Sequence, residues 1–151
     1  MSLGEKITQV LNGTIESVKG VIPVPLEIGK PSLMAEPLQQ SEMGVLIGMV
    51  GHVRGRLVIE SESNTFGKIG EIMFGMPLEG EMLHSFTGEL GNMIAGNLCT
   101  IVAQKGLEID ITPPTVMVGA SKLYGFERAF RVPVEIKDTG QIQIILMLEV
   151  K

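Results

Sequence analysis

A single amphipathic stretch, about Leu78 to Lys105, limits the folds open to this chain of 151 residues. Leu83, Phe86, Leu90, Met93, Ile94, Leu98 and Ile101 recur at helical spacing and gather on one arc, so one side of a long helix must face a core. Gly106 supplies the stop. Beside that arc, Gly88, Gly91, Ala95, Cys99 and Ala103 make a nearly bare flank. Glycine inside a helix costs about 0.8–1 kcal/mol relative to alanine. Three of them, at 88, 91 and 96, call for a close backbone neighbour.

Away from the apolar arc, Ser85, Glu89, Asn92 and Gly96 fall within about 60° of one another on the helix surface. Two readings of this stripe compete. In one, the glycines admit another element of the same fold, and Glu89 and Asn92 are solvated surface. In the other, a carboxylate and a carboxamide one turn apart stand out from a smooth face and enter a partner's pocket. A carboxamide both donates and accepts hydrogen bonds, so it can hold a water in line for attack without exchanging protons. The carboxylate can pair with a lysine or arginine beside that pocket.

The remaining segments predict an α+β fold with a largely antiparallel sheet packed on long helices, formed as one domain over residues 1–151. Ser2-Leu3-Gly4-Glu5 reads as a capping box, and Leu3, Ile7, Val10, Leu11, Ile15 and Val18 continue a helix to Gly20. Pro23, Pro25 and Pro31 impose an extended segment, with Val21 to Leu26 either an edge strand or no strand. Residues 42–61 hold two apolar runs about the turn Gly51-His52-Val53-Arg54-Gly55, the pattern of a buried hairpin. Asn64 to Phe74 reads as a helix lined by Phe66, Ile69, Ile72 and Met73 and ended by Gly75-Met76-Pro77. Leu107 to Ile111 alternates as a strand, and Phe126–Lys137 with Gln141–Val150 form a hairpin about Asp138-Thr139-Gly140. The run Ile142 to Val150 is hazardous as an open edge, so it requires a neighbouring strand, from this chain or another.

Composition narrows the chemistry. A formal charge of −5 and the lack of a Lys/Arg cluster argue against nucleic acid. No basic leader and no apolar run of membrane-spanning length is present, which makes the cytoplasm the expected compartment and a membrane partner unexpected. His52, His84 and Cys99 cannot build an ordinary zinc site without carboxylate help, and no metal or other cofactor is expected in this chain. His84 is expected exposed or half-buried, His52 in an exposed turn, and Cys99 as a buried free thiol. Ten methionines with no tryptophan describe a soft aliphatic core, or alternatively a Met-rich groove for a partner.

Ser85, Glu89, Asn92 and the downstream Pro113-Pro114 pair resemble the signature of the CheC/CheX/FliY family of bacterial chemotaxis phosphatases. Gly88 to Gly96, Ile111 to Val116, Gly119, Val45-Leu46-Ile47-Gly48 and Gly55 to Ile59 look like the CheX branch, so the resemblance spans about residues 42–119. Such proteins dephosphorylate the response regulator CheY, whose phosphoaspartate lies beside a magnesium ion and a lysine. The resemblance implies that Glu89 pairs with that lysine and Asn92 orients the hydrolytic water. Ser85 and Gly96 would then support or dock, and the magnesium would belong to the phosphorylated partner. It also implies a homodimer joined at sheet edges. Some relatives carry the signature in both halves of the fold. Here the corresponding place in the first half is expected near Glu71, where Phe74 replaces the asparagine, leaving one site per chain. The competing classes are a receiver-binding or flagellar-switch module without catalysis, and a small-ligand domain using the glycine-flanked face, for which no phosphate-cradling loop is present.

Overall fold

The computed structural model describes residues 1–35, 37–40, 42–126 and 128–149. Helix α1, Leu3–Val21, is followed by strands β1 (Leu26–Ile28), β2 (Ser32–Met34), β3 (Leu38–Gln40), β4 (Met43–Gly51) and β5 (Gly55–Ser61). Helix α2, Ser63–Phe74, then leads to helix α3, Gly80–Ala103. Five further strands complete the chain: β6 (Ile109–Ile111), β7 (Thr115–Val118), β8 (Ser121–Leu123), β9 (Arg128–Ile136) and β10 (Gly140–Leu148).

The expected α+β architecture holds. One antiparallel sheet runs β1-β9-β10-β5-β4-β6, with β2 also on β9 and β7 also on β4, while β3 and β8 pair separately. The order reads as two copies of one pattern. Helix α1 with β1 to β5 matches α3 with β6 to β10: β1 and β2 add to β9 as β6 and β7 add to β4, and β5 meets β10 at the centre. Helix α2 is the connection between the copies. The expectation that the first-half counterpart of the signature lies near Glu71 is therefore corrected, because the equivalent helix is α1. Helix α1 has no Glu-x-x-Asn either: Thr8 follows Glu5 and Lys19 follows Glu16 at that spacing. Of the two equivalent helices, α3 alone carries the pattern, at Glu89 and Asn92.

Alternation decides which side of the sheet each residue serves. Val45, Ile47, Leu57, Ile59, Val132, Val134, Ile142, Ile144 and Leu146 face the helices and form the main core with Leu90, Ile94 and Leu98. Each of those three helix residues is fully buried and contributes about 1.5–3 kcal/mol. Val58, Ala129, Ile145 and Met147 point the other way, into a smaller cluster with Leu38 and Phe126. Strand β10 is paired on both sides, by β9 and β5, so the neighbour its apolar run requires lies within the chain. Val150, assigned to that run from sequence, lies outside the described residues.

Element ends follow local chemistry. Ser2 caps α1: its Oγ accepts from the Glu5 N–H at 3.2 Å and donates to Glu5 Oε1 at 3.1 Å. Helix α1 passes the expected stop at Gly20, because the Ile22 N–H still reaches the Val18 carbonyl at 3.0 Å. Gly75, at φ 74°, closes α2 through its N–H to the Glu71 carbonyl at 2.8 Å. Leu78 is not the start of α3; it lies in the α2–α3 loop against Gly70. Gly106, at φ 84°, ends α3 as expected.

Candidate functional site

Helix α3 is held on three sides. Its apolar arc rests on the sheet, with Leu83, Phe86, Leu90, Ile94, Leu98 and Val102 buried. The small-residue flank faces β4 and β7. A methyl group at Gly91 would lie 2.6 Å from Val45 Cγ1, and one at Gly88 would lie 3.1 Å from Val116 Cγ2 and 3.9 Å from Pro114 Cγ. Helix α1 braces the far end, where Ser17 Oγ donates to the Ile94 carbonyl at 2.6 Å. Gly13 of α1 comes so close to α3 that an added methyl would meet Leu98 Cδ1 at 2.9 Å. Two of the three helix glycines are thus explained by close approach, though the neighbours are side chains rather than backbone. Gly96 is different: nothing lies within 4 Å of where its methyl would be.

The face left uncovered carries the stripe. Ser85 and Glu89 are exposed, and Asn92 and Gly96 are half-buried. Among the described residues, no hydrogen bond or ion pair engages the side chains of Ser85, Glu89 or Asn92. Helical rise places the Glu89 and Asn92 backbones about 4.5 Å apart along the axis. The β6–β7 connection borders this face through Pro114, near Gly88. It is pinned to β4 by Thr112, whose N–H donates to the Gly48 carbonyl at 2.9 Å and whose Oγ1 accepts from the Gly48 N–H at 2.8 Å. The fold therefore brings Ser85, Glu89, Asn92 and Pro114 to one region.

Other candidates separate from it. His84 is half-buried, and successive helix positions turn its side chain about 100° away from Ser85. His52 is exposed and braces the β4–β5 turn: its Nδ1 accepts from the Glu108 N–H at 2.9 Å, and its own N–H donates to the Glu108 carbonyl at 3.0 Å. Cys99, expected buried, is half-buried. Burial, and secondarily the Asp110 charge, hold its thiol pKa above the ordinary value against a lowering backbone hydrogen bond. Among the described residues no cluster of three or more His, Cys, Asp or Glu side chains is arranged to hold a metal, and no helix is long and apolar enough to cross a membrane.

Sequence reasoning missed the apolar border of the stripe. Met93, assigned to the core arc, is 36% exposed, and Met82, seven residues before Glu89, is 59% exposed. On a regular helix both lie within about 40° of Glu89. The recurrence of Met82 at two-turn spacing from Glu89 was the available signal.

The family model described as chemotaxis phosphatase CheX matches residues 43–129. The CheY-P phosphatase CheX of Thermotoga maritima is 32% identical over 136 residues, covering 87% of this chain and 88% of that protein. Among solved structures, a CheC-like superfamily protein from Shewanella sp. PV-4 superposes with a TM-score of 0.80 at 27% identity, over 99% of this chain and 100% of that one. The CheX in a CheX-CheY-BeF3-Mg complex from Borrelia burgdorferi superposes with a TM-score of 0.78 at 26% identity, over 95% and 97% of the two chains.

Proposed function

Because the chain belongs to the CheX family of chemotaxis phosphatases, we propose that it removes the phosphoryl group from the aspartate of a CheY-type receiver domain, with Glu89 and Asn92 carrying the reaction. The observation that supports this reading is the pairing of a rigid, fully packed helix with an acid and an amide on its one uncovered face, neither engaged by the chain's own residues.

The division of labour follows from the side chains available. The receiver supplies the acyl phosphate, its magnesium ion and its lysine. Glu89 reaches that lysine as a charge-assisted partner and sets the register of the two proteins. Asn92, one turn on, accepts from and donates to the attacking water, fixing its line to phosphorus. Phosphoryl transfer depends mainly on positioning and on charge already present at the receiver, so a neutral amide suffices. Ser85 and Gly96 border the contact, and the absent side chain at Gly96 allows the receiver's backbone to approach the helix closely. The protein acts in the cytoplasm, as two copies joined at outer sheet strands. Leu33 on β2 is 68% exposed and gives that edge an apolar surface to cover.

Phosphate release from a magnesium-bound phosphoreceiver, followed for wild type, Asn92→Ala and Glu89→Ala, tests the assignment. Asn92→Ala should retain binding and lose roughly 10²-fold in rate. Glu89→Ala should also raise the receiver concentration required. Equal rates for all three would remove the catalytic assignment and leave a receiver-binding module.

A further inference from the structure

Next to the stripe, the loop joining α2 to α3 folds back and leaves an open groove of about 740 Å³. Its floor is set. The Phe74 ring stands edge-on to Phe86 with centroids 5.7 Å apart, and Leu78 lies close over Gly70, where an added methyl would meet its Cδ1. Its walls are Met76 and Met82, flexible side chains that adapt to what they contact. Phe74, Met76 and Met82 are 59%, 51% and 59% exposed, a cluster of large apolar groups rather than a scatter. The polar border consists of Glu81, Ser85 and Glu89, and among the described residues no lysine or arginine lines the groove. Two of those three belong to the stripe.

We infer that this groove is a second contact for the same phosphorylated receiver, seating an apolar side chain that has a cationic neighbour on the receiver surface and thereby selecting among receivers. The inference rests on the proposed phosphatase reading. Continuity carries it: a protein whose lysine pairs with Glu89 must lie over Ser85 and therefore over the mouth of the groove. The acidic border favours a basic occupant. It disfavours a second copy of this chain, which has a formal charge of −5 and would bring its own Glu81 and Glu89 to the contact.

The test compares wild type, Met82→Glu, Met82→Leu and Asn92→Ala. It measures steady-state dephosphorylation of phosphoreceiver, calorimetric binding to the magnesium-beryllofluoride form of that receiver, and light scattering of each protein alone. Met82 is exposed, so both of its variants should fold. Met82→Glu should raise KM and Kd about tenfold with kcat unchanged, and Met82→Leu should restore both. Asn92→Ala should show the opposite split, with kcat lost and Kd held. Unchanged KM and Kd in Met82→Glu beside an inactive Asn92→Ala would overturn the groove contact while sparing the phosphatase reading. Loss of dimer in Met82→Glu alone would overturn it in favour of self-association. Wild type that neither binds nor dephosphorylates the receiver would end both.

Discussion

Gly91→Ala and Gly96→Ala should move stability in opposite directions, although both put the same methyl on the same helix. At position 91 the new carbon would stand 2.6 and 2.8 Å from the two methyls of Val45 and 3.3 Å from Ile47 Cδ1. Carbon atoms prefer about 3.5–4.0 Å. Valine is stiff at χ1, and because both of its methyls already crowd the same point, rotation exchanges one clash for the other. Relief requires the helix to lift from β4. Overpacking of this kind costs about 1–3 kcal/mol, against which alanine returns about 0.8–1 kcal/mol of helix propensity. With two stiff contacts below 3 Å the net loss is about 1–2 kcal/mol, a fall in Tm of roughly 2–8 °C for a chain of this size. At position 96 the methyl meets nothing within 4 Å, so only the propensity gain remains, a rise of roughly 2–4 °C. Thermal unfolding followed by circular dichroism, at one protein concentration because association shifts apparent stability, reads both. Gly91→Ala melting at or above wild type would refute the close packing of α3 on β4. The same Gly96→Ala protein should bind the receiver more weakly despite its added stability, since its methyl enters the space reserved for the partner.

Removing the Ser17 hydroxyl as Ser17→Ala should cost about 1 kcal/mol, because its buried bond to the Ile94 carbonyl ties α1 to α3. An unchanged denaturant midpoint would show the brace to be inert. Alkylation of Cys99 should accelerate at higher pH than that of free cysteine, and Asp110→Asn should move the profile toward lower pH by removing a charge that disfavours the thiolate, while the larger effect of burial remains. Identical profiles for wild type and free cysteine would contradict this. Since the folded thiol ionises later than the unfolded one, Cys99 should leave stability unaffected near neutrality and lower it only as pH rises through the unfolded thiol's range.

Long periodic segments could be read from the residues, and most short ones could not, β6 being legible through the alternation of Leu107 to Ile111. Helices α2 and α3 and the hairpins β4–β5 and β9–β10 carry enough repeats of 3.6 or 2 to declare themselves. Strands β2, β3 and β8 span three residues each, too few to establish a period; β2 adds to the edge of the longer β9, while β3 and β8 pair with each other. The equivalent helix of the first half was misplaced at α2 because the repeat resides in strand pairing partners, which no spacing along the chain displays. At the site, the outward direction of Ser85 and Glu89 followed from helix angles alone. Met93 was misplaced because it sits at the margin of the apolar arc, where helical periodicity does not decide what is covered. The groove needed Phe74 and Met76 brought back beside Met82 by a turn at Gly75, a juxtaposition that no spacing rule contains.

The interlocking of the two halves governs how the protein comes into being. Leu26 of β1 finds its partner at Ile136 and Glu60 of β5 at Gln143, so neither repeat can complete its own share of the sheet unaided. Closure of such distant segments must precede the stabilisation it brings, which places folding on the slow side for a chain of this length. On the ribosome, the hydrophobic β4–β5 ribbon emerges well before residues 128–148 are synthesised to flank it. Nascent chains of this protein therefore present an adhesive edge until β10 has been synthesised, and a demand for chaperone protection during translation follows from the topology.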